Sequence, residues 1–259
     1  MSNIDFTKSE QYTLSIRLSA DGFSFSVHSI PSVDECYYAS IPTNASYSLT
    51  ANIKTMMATT DALRYPYKQI NILVDTQRFT TIPFELFEDE QTEEFFYHNF
   101  PKNNHETVLC NILGKSNIAL LFGMDKYAHQ LLNEHFPNAR IFACISPLAE
   151  YFAQKSREEN GRNMYVHFKK NVMEVFAFDK GKLLLMNSFA CQQPTDQVYY
   201  LLYTWQQLGF NQEKDQIWLA GHIGQEELLP ELNKFIRHTH VLPSHSTITF
   251  DIETLIICE

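Results

Sequence analysis

Basic side chains are the scarce class in this sequence. Its 20 Lys and Arg stand against 30 Asp and Glu, a formal charge of −10, and so acidic a chain lacks the electrostatic footprint of a general nucleic-acid binder. Lys169–Lys170 is the single place where two basic residues adjoin. Long apolar runs are missing too: nothing approaches the roughly 18 residues that a membrane-spanning helix takes, and the longest candidate, Asn117 to Met124, reads as a buried strand. Cysteine occurs at Cys36, Cys110, Cys144, Cys191 and Cys258, with no C-x-x-C pair. An odd, widely spaced set fits buried free thiols in a reducing compartment better than a disulfide framework. Met1 to Gln11 offers neither a basic n-region nor an apolar h-region, so no signal peptide and a cytoplasmic location are expected. Motifs of covalent catalysis are thin as well. There is no G-x-S-x-G elbow, and Gly114-Lys115-Ser116 copies only the end of a phosphate-binding loop. Leu109 stands where that loop's first glycine belongs, so the segment reads as a turn.

What is present is ample material for a core. Of 259 residues, 44% are hydrophobic and 14% aromatic, which argues against disorder. Tyr12, Leu14, Ile16 and Leu18 alternate with polar residues, the mark of a half-buried strand. Ala20-Asp21-Gly22 is a turn signal, and Phe23, Phe25 and Val27 alternate after it, so a hairpin is expected. A third strand follows over Glu35 to Ile41, and Pro42-Thr43-Asn44 breaks it. Tyr47, Leu49, Ile53, Met56, Met57, Leu63 and Tyr65 recur at helical spacing, and Ile70 to Val74 is a short apolar strand. The second half repeats this order. Strands are expected over Met164 to Phe168, Val172 to Phe178 and Leu183 to Phe189, the last two joined by the turn Asp179-Lys180-Gly181. Pro194 opens a helix with Val198, Leu201, Leu202, Trp205 and Leu208 on one stripe, Gly209 sits where a C′ residue belongs, and Ile217 to Ala220 is a strand.

Two local matches support a duplication. Gln69-Ile70-Asn71-Ile72-Leu73-Val74 lies over Gln216-Ile217-Trp218-Leu219-Ala220-Gly221, an offset of 147 residues. At the same offset Ile82-Pro83 lies over Leu229-Pro230. Between the halves, Val108 to Leu113 and Ile118 to Phe122 read as strands. Asp125 caps a helix through Phe136, Arg140 to Ile145 is a strand, and Pro147 starts a further helix that fades into the polar run Lys155 to Arg162. The expected organisation is an α/β chain of two lobes with mixed sheets, each built on a βββαβ unit. The first lobe spans 1–160 with an inserted α/β segment near 105–145, and the second spans 161–259.

A three-strand meander, a helix and a strand, stated twice, resembles the plan of the actin, sugar-kinase and heat-shock-ATPase superfamily, the actin-like ATPase (ribonuclease H-like) fold. The hairpin Leu14 to Val27, Ile82-Pro83 with the acidic stretch after it, His135-Phe136-Pro137-Asn138-Ala139-Arg140 and the meander Tyr165 to Phe189 carry a closer likeness. They resemble a bacterial, Bacteroidetes-type family of unknown function with that fold, akin to pilus-assembly and cell-division actin-like proteins. In active members both hairpins bear an Asp-x-Gly type turn toward the nucleotide phosphates, where the glycine admits the phosphate and the carboxylate holds hydrated Mg²⁺. Here the first hairpin reads Arg17-Leu18-Ser19-Ala20-Asp21-Gly22, with Arg17 or Ser19 where an Asp is expected. The second reads His167-Phe168-Lys169-Lys170-Asn171, with neither Asp nor Gly. The adenosine segment, a strand ending in consecutive glycines, is represented by Leu219-Ala220-Gly221-His222-Ile223-Gly224. The resemblance therefore implies a vestigial nucleotide cleft built from Ser19, Asp21, Gly22, Lys169, Lys170, Gly221 and Gly224. Gly221 and Gly224 have the alternative reading of turn residues after a strand.

Three other features compete for attention. His238, His240 and His245 suggest a metal, but no Cys or carboxylate stands nearby with ligand spacing, so polar residues on an edge strand are expected and no metal site. Cys144 and Cys191 end apolar strands, where buried thiols are commoner than nucleophiles. Glu85, Glu88, Asp89, Glu90, Glu93 and Glu94 interleave with Phe84, Phe87, Phe95, Phe96 and Tyr97. They read as an amphipathic helix with a solvated acidic face or, more sharply, as a docking surface for a basic partner. The leading functional reading is a non-catalytic binding or scaffold protein with a protein partner and no cofactor beyond weak ATP binding. The alternatives are an ATP-binding protein or ATPase using Asp21, Lys169 and Lys170 as unconventional ligands, and a polymerising element.

Overall fold

The computed structural model describes residues 4–20, 22–29, 36–159, 161–222, 225–244 and 248–259. The chain divides into two compact units. Met1–Leu113, Asn117–Pro147 and Asp251–Glu259 make one; Gly114–Ser116 and Leu148–Phe250 make the other.

In the first unit, β1 (Thr13–Ser19) and β2 (Gly22–His28) form the expected hairpin, in register from Thr13↔His28 to Ser19↔Gly22. β3 (Cys36–Ile41) pairs with β2. Helix α1 (Leu49–Thr59) is capped by the Ser48 hydroxyl, which accepts from the Ala51 N–H. It is shorter than the apolar spacing predicts. Thr60 is extended, and the chain re-enters a 3-10 turn, Asp61–Arg64, that buries Leu63. Successive threonines before an aspartate favour such an exit. β4 (Gln69–Val74) then runs parallel to β1. Because residues in register share a sheet face, Leu14, Ile16 and Leu18 line up with Val27, Phe25 and Phe23 on one side and Ile70, Ile72 and Val74 on the other.

A three-stranded antiparallel sheet follows. β5 (Phe79–Pro83), helix α2 (Thr92–Asn99), β6 (Glu106–Leu113) and β7 (Ile118–Asp125) give the strand order β5-β7-β6. The acidic stretch, expected as one helix, is broken into 3-10 turns at Phe84–Leu86 and Asp89–Gln91 before α2, with Phe87 and Glu88 extended. A continuous helix would set Glu85 against Asp89, Asp89 against Glu93 and Glu90 against Glu94, repulsive pairs at four-residue spacing. One face of this sheet packs Ile82 and Leu121 against Phe96 of α2. On the other, the Asn111 side chain donates to the Ile141 carbonyl at 2.9 Å and accepts from the Ala143 N–H and the Ser146 hydroxyl at 3.0 and 2.7 Å. Helix α3 (Lys126–His135) is capped by Asp125, as its sequence predicts. β8 (Arg140–Ala143) joins β4 in parallel, completing a sheet of order β3-β2-β1-β4-β8.

The chain passes through helix α4 (Ile145–Glu158) into the second unit. β9 (Arg162–Phe168), β10 (Val172–Asp179) and β11 (Lys182–Ala190) form the second meander. The two-residue turn between β10 and β11 places Lys180 and Gly181 at φ 51° and 82°, the left-handed pair that a tight hairpin needs. Helix α5 (Pro194–Gln207), β12 (Gln216–Gly221), helix α6 (Gln225–Leu232) and β13 (His238–Val241) complete a sheet of order β11-β10-β9-β12-β13. Its core gathers Met164, Val166, Val175, Leu201, Trp205, Ile217 and Leu219. The order is that of the first sheet, strand for strand, and the two lobes have the mixed sheets expected of the duplicated βββαβ unit. β4 and β12 open at Gln69 and Gln216, as the first repeat match predicts. The second match is not structural: Ile82–Pro83 ends a strand, whereas Leu229–Pro230 lies inside α6. Helix α7 (Phe250–Cys258) returns Asp251 and the residues after it to the first unit.

β1 departs from its expected half-burial, since all seven of its residues are buried. Side chains of α7 account for part of its second face. Asp251 reaches Arg17, and Glu259, just beyond the helix, reaches Asn71 on the neighbouring strand β4.

Candidate functional site

The duplication can be laid over itself residue by residue. Thr13 of β1 faces Gln69 of β4, and Asn163 of β9 faces Gln216 of β12. Arg17 therefore corresponds to His167, Ser19 to Lys169, and Asp75 to His222. The backbone agrees, since the Asp75 N–H donates to the Leu18 carbonyl and the His222 N–H to the Phe168 carbonyl, each at 2.9 Å. Ser19 and Lys169 thus occupy the same place in the two units. Ser19 and Gly22 belong to the first unit, and Lys169, Lys170 and Gly221 to the second. Asp21 and Gly224 lie outside the described residues.

At the first strand end, Arg17 is the hub. Its Nε donates to Asp251 Oδ2 at 2.6 Å, and its terminal nitrogen lies 3.5 Å from Asp75 Oδ2. The Ser19 hydroxyl donates to the same Asp75 oxygen at 2.8 Å. The side chains of Arg17 and Asp251 are 11% and 1% exposed. Burial works against the guanidinium charge, but the carboxylates of Asp251 and Asp75 outweigh it and raise the Arg17 pKa. Carboxylates are thus present at this end, as an ATPase needs, but a guanidinium stands between them.

At the second strand end, Glu174 is the hub. It sits opposite His167 in the β9–β10 ladder and is 2% exposed. Its Oε2 lies 2.8 Å from His167 Nδ1, and its Oε1 accepts from Lys169 Nζ at 2.6 Å. Burial pushes the carboxyl toward its neutral form; the Lys169 charge and the His167 hydrogen bond overcome that and hold its pKa below the ordinary value. Lys169, read from sequence as a phosphate ligand, therefore directs its ammonium to a buried carboxylate. Lys170 is exposed.

Gly221 ends β12 opposite Phe168, with φ 84°. A Cβ there would stand 2.4 Å from the Phe168 carbonyl oxygen and 2.8 Å from His167 Cδ2. Backbone conformation and close approach both require glycine, with or without a nucleotide. Gly221→Ala is expected to cost about 1–3 kcal/mol through overpacking and the left-handed backbone. Thermal unfolding of the variant checks this, and an unchanged midpoint would mean that the turn relaxes freely.

Asp75, Asp251 and Glu174 are the charged residues that sequence reasoning missed. Glu174 carried a signal, a lone carboxylate inside the apolar strand Val172 to Phe178. Asp251, 234 positions from Arg17, carried none.

Elsewhere the Lys115 N–H donates to the Glu150 carboxylate at 3.0 Å, so a carboxylate of the protein occupies the Gly114-Lys115-Ser116 turn. On β13, His238 lies 3.2 Å from the Glu213 carbonyl and His240 stacks 4.2 Å from Trp218, each with a structural partner; His245 lies outside the described residues. None of the five cysteines forms a disulfide, and Cys144 and Cys191 are buried. A groove of about 400 Å³ lies in the first unit beside β3, lined by Phe6, Phe25, Tyr37 and Tyr65 with Asp61 as its charged residue. That lining suits no phosphate.

A Bacteroides thetaiotaomicron protein with an actin-like ATPase fold and unknown function superposes with a TM-score of 0.91 at 46% identity, covering 99% of each chain. The PilM–PilN type IV pilus biogenesis complex matches with a TM-score of 0.55 at 10% identity, over 89% of this chain and 88% of that one. The ethanolamine utilization protein EutJ from Carboxydothermus hydrogenoformans matches with a TM-score of 0.51 at 8% identity, over 95% and 89%. These last two likenesses show the fold alone. No curated protein matches the chain in sequence. The model of the family described as "Protein of unknown function (DUF3822)" matches residues 1–239, and the chain, with its actin-like ATPase fold, belongs to that family.

Proposed function

We propose that the chain is a non-catalytic actin-like binding or scaffold protein with a degenerate nucleotide site. One observation carries this reading: at both equivalent strand ends the charges are satisfied internally, Arg17 by Asp251 and Asp75, and Glu174 by Lys169 and His167. Phosphoryl transfer needs a fixed metal and an oriented nucleophile. A guanidinium among the carboxylates competes with Mg²⁺ for them, and a lysine on a buried glutamate is drawn away from phosphate. The ligand we propose instead is a protein, and PilM, which shares the fold, is named for a complex with PilN. A cytoplasmic location is part of the proposal and is supported by five cysteines that stand outside any disulfide. No helix among the described residues is long and apolar enough to cross a membrane.

Phosphate release from ATP is the test. The purified protein is expected to hydrolyse ATP at the background rate with and without Mg²⁺. Magnesium-dependent turnover that Asp21→Ala abolishes would replace this reading with an ATPase using unconventional ligands. Thermal stabilisation by ATP without turnover, lost in Lys169→Ala, would show that the degenerate site still binds nucleotide.

A further inference from the structure

We infer that the end of the three-stranded sheet where β5 gives way to the 3-10 turn Phe84–Leu86 is a docking surface for a basic, amphipathic protein segment. This rests on the binding-protein reading above and names the chemistry of the partner. The apolar part comes first. Ile112 of β6 faces Ala119 of β7, which faces Ile82 of β5, so the three share one sheet face. With strands about 4.8 Å apart, Ile112 and Ile82 lie about 10 Å from each other. The Phe84 N–H donates to the Asn117 carbonyl at 3.1 Å, which fixes the 3-10 turn beside the start of β7. Phe84, Leu86 and Ile112 therefore gather at one end of one sheet, and they are 47%, 66% and 52% exposed. Helix α2, eight residues long, covers the same face farther along, where Phe96 packs on Leu121. Scattered exposed apolar residues need no explanation, but several large ones together at a sheet end mark an interaction surface.

Charge then selects the occupant. Glu85, Glu88, Asp89, Glu90, Glu93 and Glu94 are all exposed, and no Lys or Arg occurs between Arg78 and Lys102. Among the described residues none of the six forms a salt bridge. A rim of one sign around an apolar centre attracts a segment of opposite charge and orients it, while the buried contacts hold it. The same rim repels nucleic-acid phosphates and anionic lipid headgroups, leaving a protein segment with Lys or Arg flanking large apolar side chains.

The experiment uses the full chain and two designed helical peptides as probes, one of leucine and lysine, the other of leucine and glutamate. The Leu–Lys peptide is expected to bind, more weakly as salt rises, and the Leu–Glu peptide not to bind. Leu86→Ser combined with Ile112→Ser should weaken binding about tenfold or more, and so should Glu88→Lys combined with Glu90→Lys. Tyr199→Ser with Tyr203→Ser, on an exposed face of α5, should leave it unchanged. Equal binding of both peptides, or loss in the charge variant without loss in the apolar one, would reduce the effect to general attraction and overturn the inference. An equal loss in the α5 control would overturn it too. ATP turnover assayed on the same proteins reports on the proposed function alone, so a failure of either reading can be told from a failure of the other.

Discussion

Arg17→Met is expected to lower the unfolding free energy by about 3–5 kcal/mol, the usual result of removing one partner from a buried ion pair. The methionine fills much of the same volume, so the loss comes from charge rather than from a cavity. Asp251 is 1% exposed on its side chain and receives the Arg17 Nε at 2.6 Å; without the guanidinium its carboxylate keeps only its remaining contacts in a medium that solvates charge poorly. Its second oxygen accepts from the Ile252 N–H, which favours the lower end of that range. Arg17→Lys keeps the charge but not the fork that reaches Asp251 and Asp75 together, and should fall between the variant and the parent. Urea unfolding followed by far-UV circular dichroism measures all three. A loss below about 1 kcal/mol in Arg17→Met would mean that the pair is no stronger than an exposed one, and the neutralisation argued for this strand end would lose its basis.

Glu174→Ala should have an effect of similar size in the other unit, about 3 kcal/mol, because the Lys169 ammonium, 13% exposed, can turn toward water once its partner is gone. Acid provides a second readout. Lys169 and His167 hold the Glu174 pKa below its ordinary 4.5 despite burial, so the folded state binds its proton less readily than the unfolded state. The stabilisation is complete above pH 4.5 and is lost as pH falls through the lowered folded value. Glu174→Gln should therefore flatten the fall in stability below pH 4.5 while mattering less to its slope above. The slope will not vanish, because the Glu259 carboxyl is also held low by its hydrogen bonds and by Arg140, against its burial. An unchanged acid slope in Glu174→Gln would show that the carboxyl titrates alike in both states.

The strands of both meanders were legible because alternation and tight turns are local signals. Leu14, Ile16 and Leu18 mark one face of β1, and Lys180–Gly181 supplies the left-handed turn. What escaped was the identity of the second face. Thr13, Ser15, Arg17 and Ser19 read as solvent-facing, yet all are buried. The residue that meets Arg17 arrives from α7, an element with no amphipathic stripe to announce it. Gly221 was visible as a glycine after a strand, but periodicity cannot say that its neighbour is the Phe168 carbonyl. The acidic stretch was visible as charge and aromatics, and its break into 3-10 turns followed from repulsions that a count of apolar spacing ignores. Strand order and the equivalence of Ser19 with Lys169 were within reach of the repeat at Gln69 and Gln216. The internal neutralisation of both ends was not, because it depends on one pairing across a turn and another across 234 positions.

That last separation has a consequence for a shortened chain. Residues 148–250 form nearly all of one unit from continuous sequence, whereas the other needs Asp251–Glu259 as well as the early strands. A chain cut short before Asp251 therefore keeps every strand of the 148–250 unit but leaves Arg17 on β1 without its Asp251 partner. Such chains, once released from the ribosome, should protect the 148–250 segment from protease while β1 and β2 stay open to cutting.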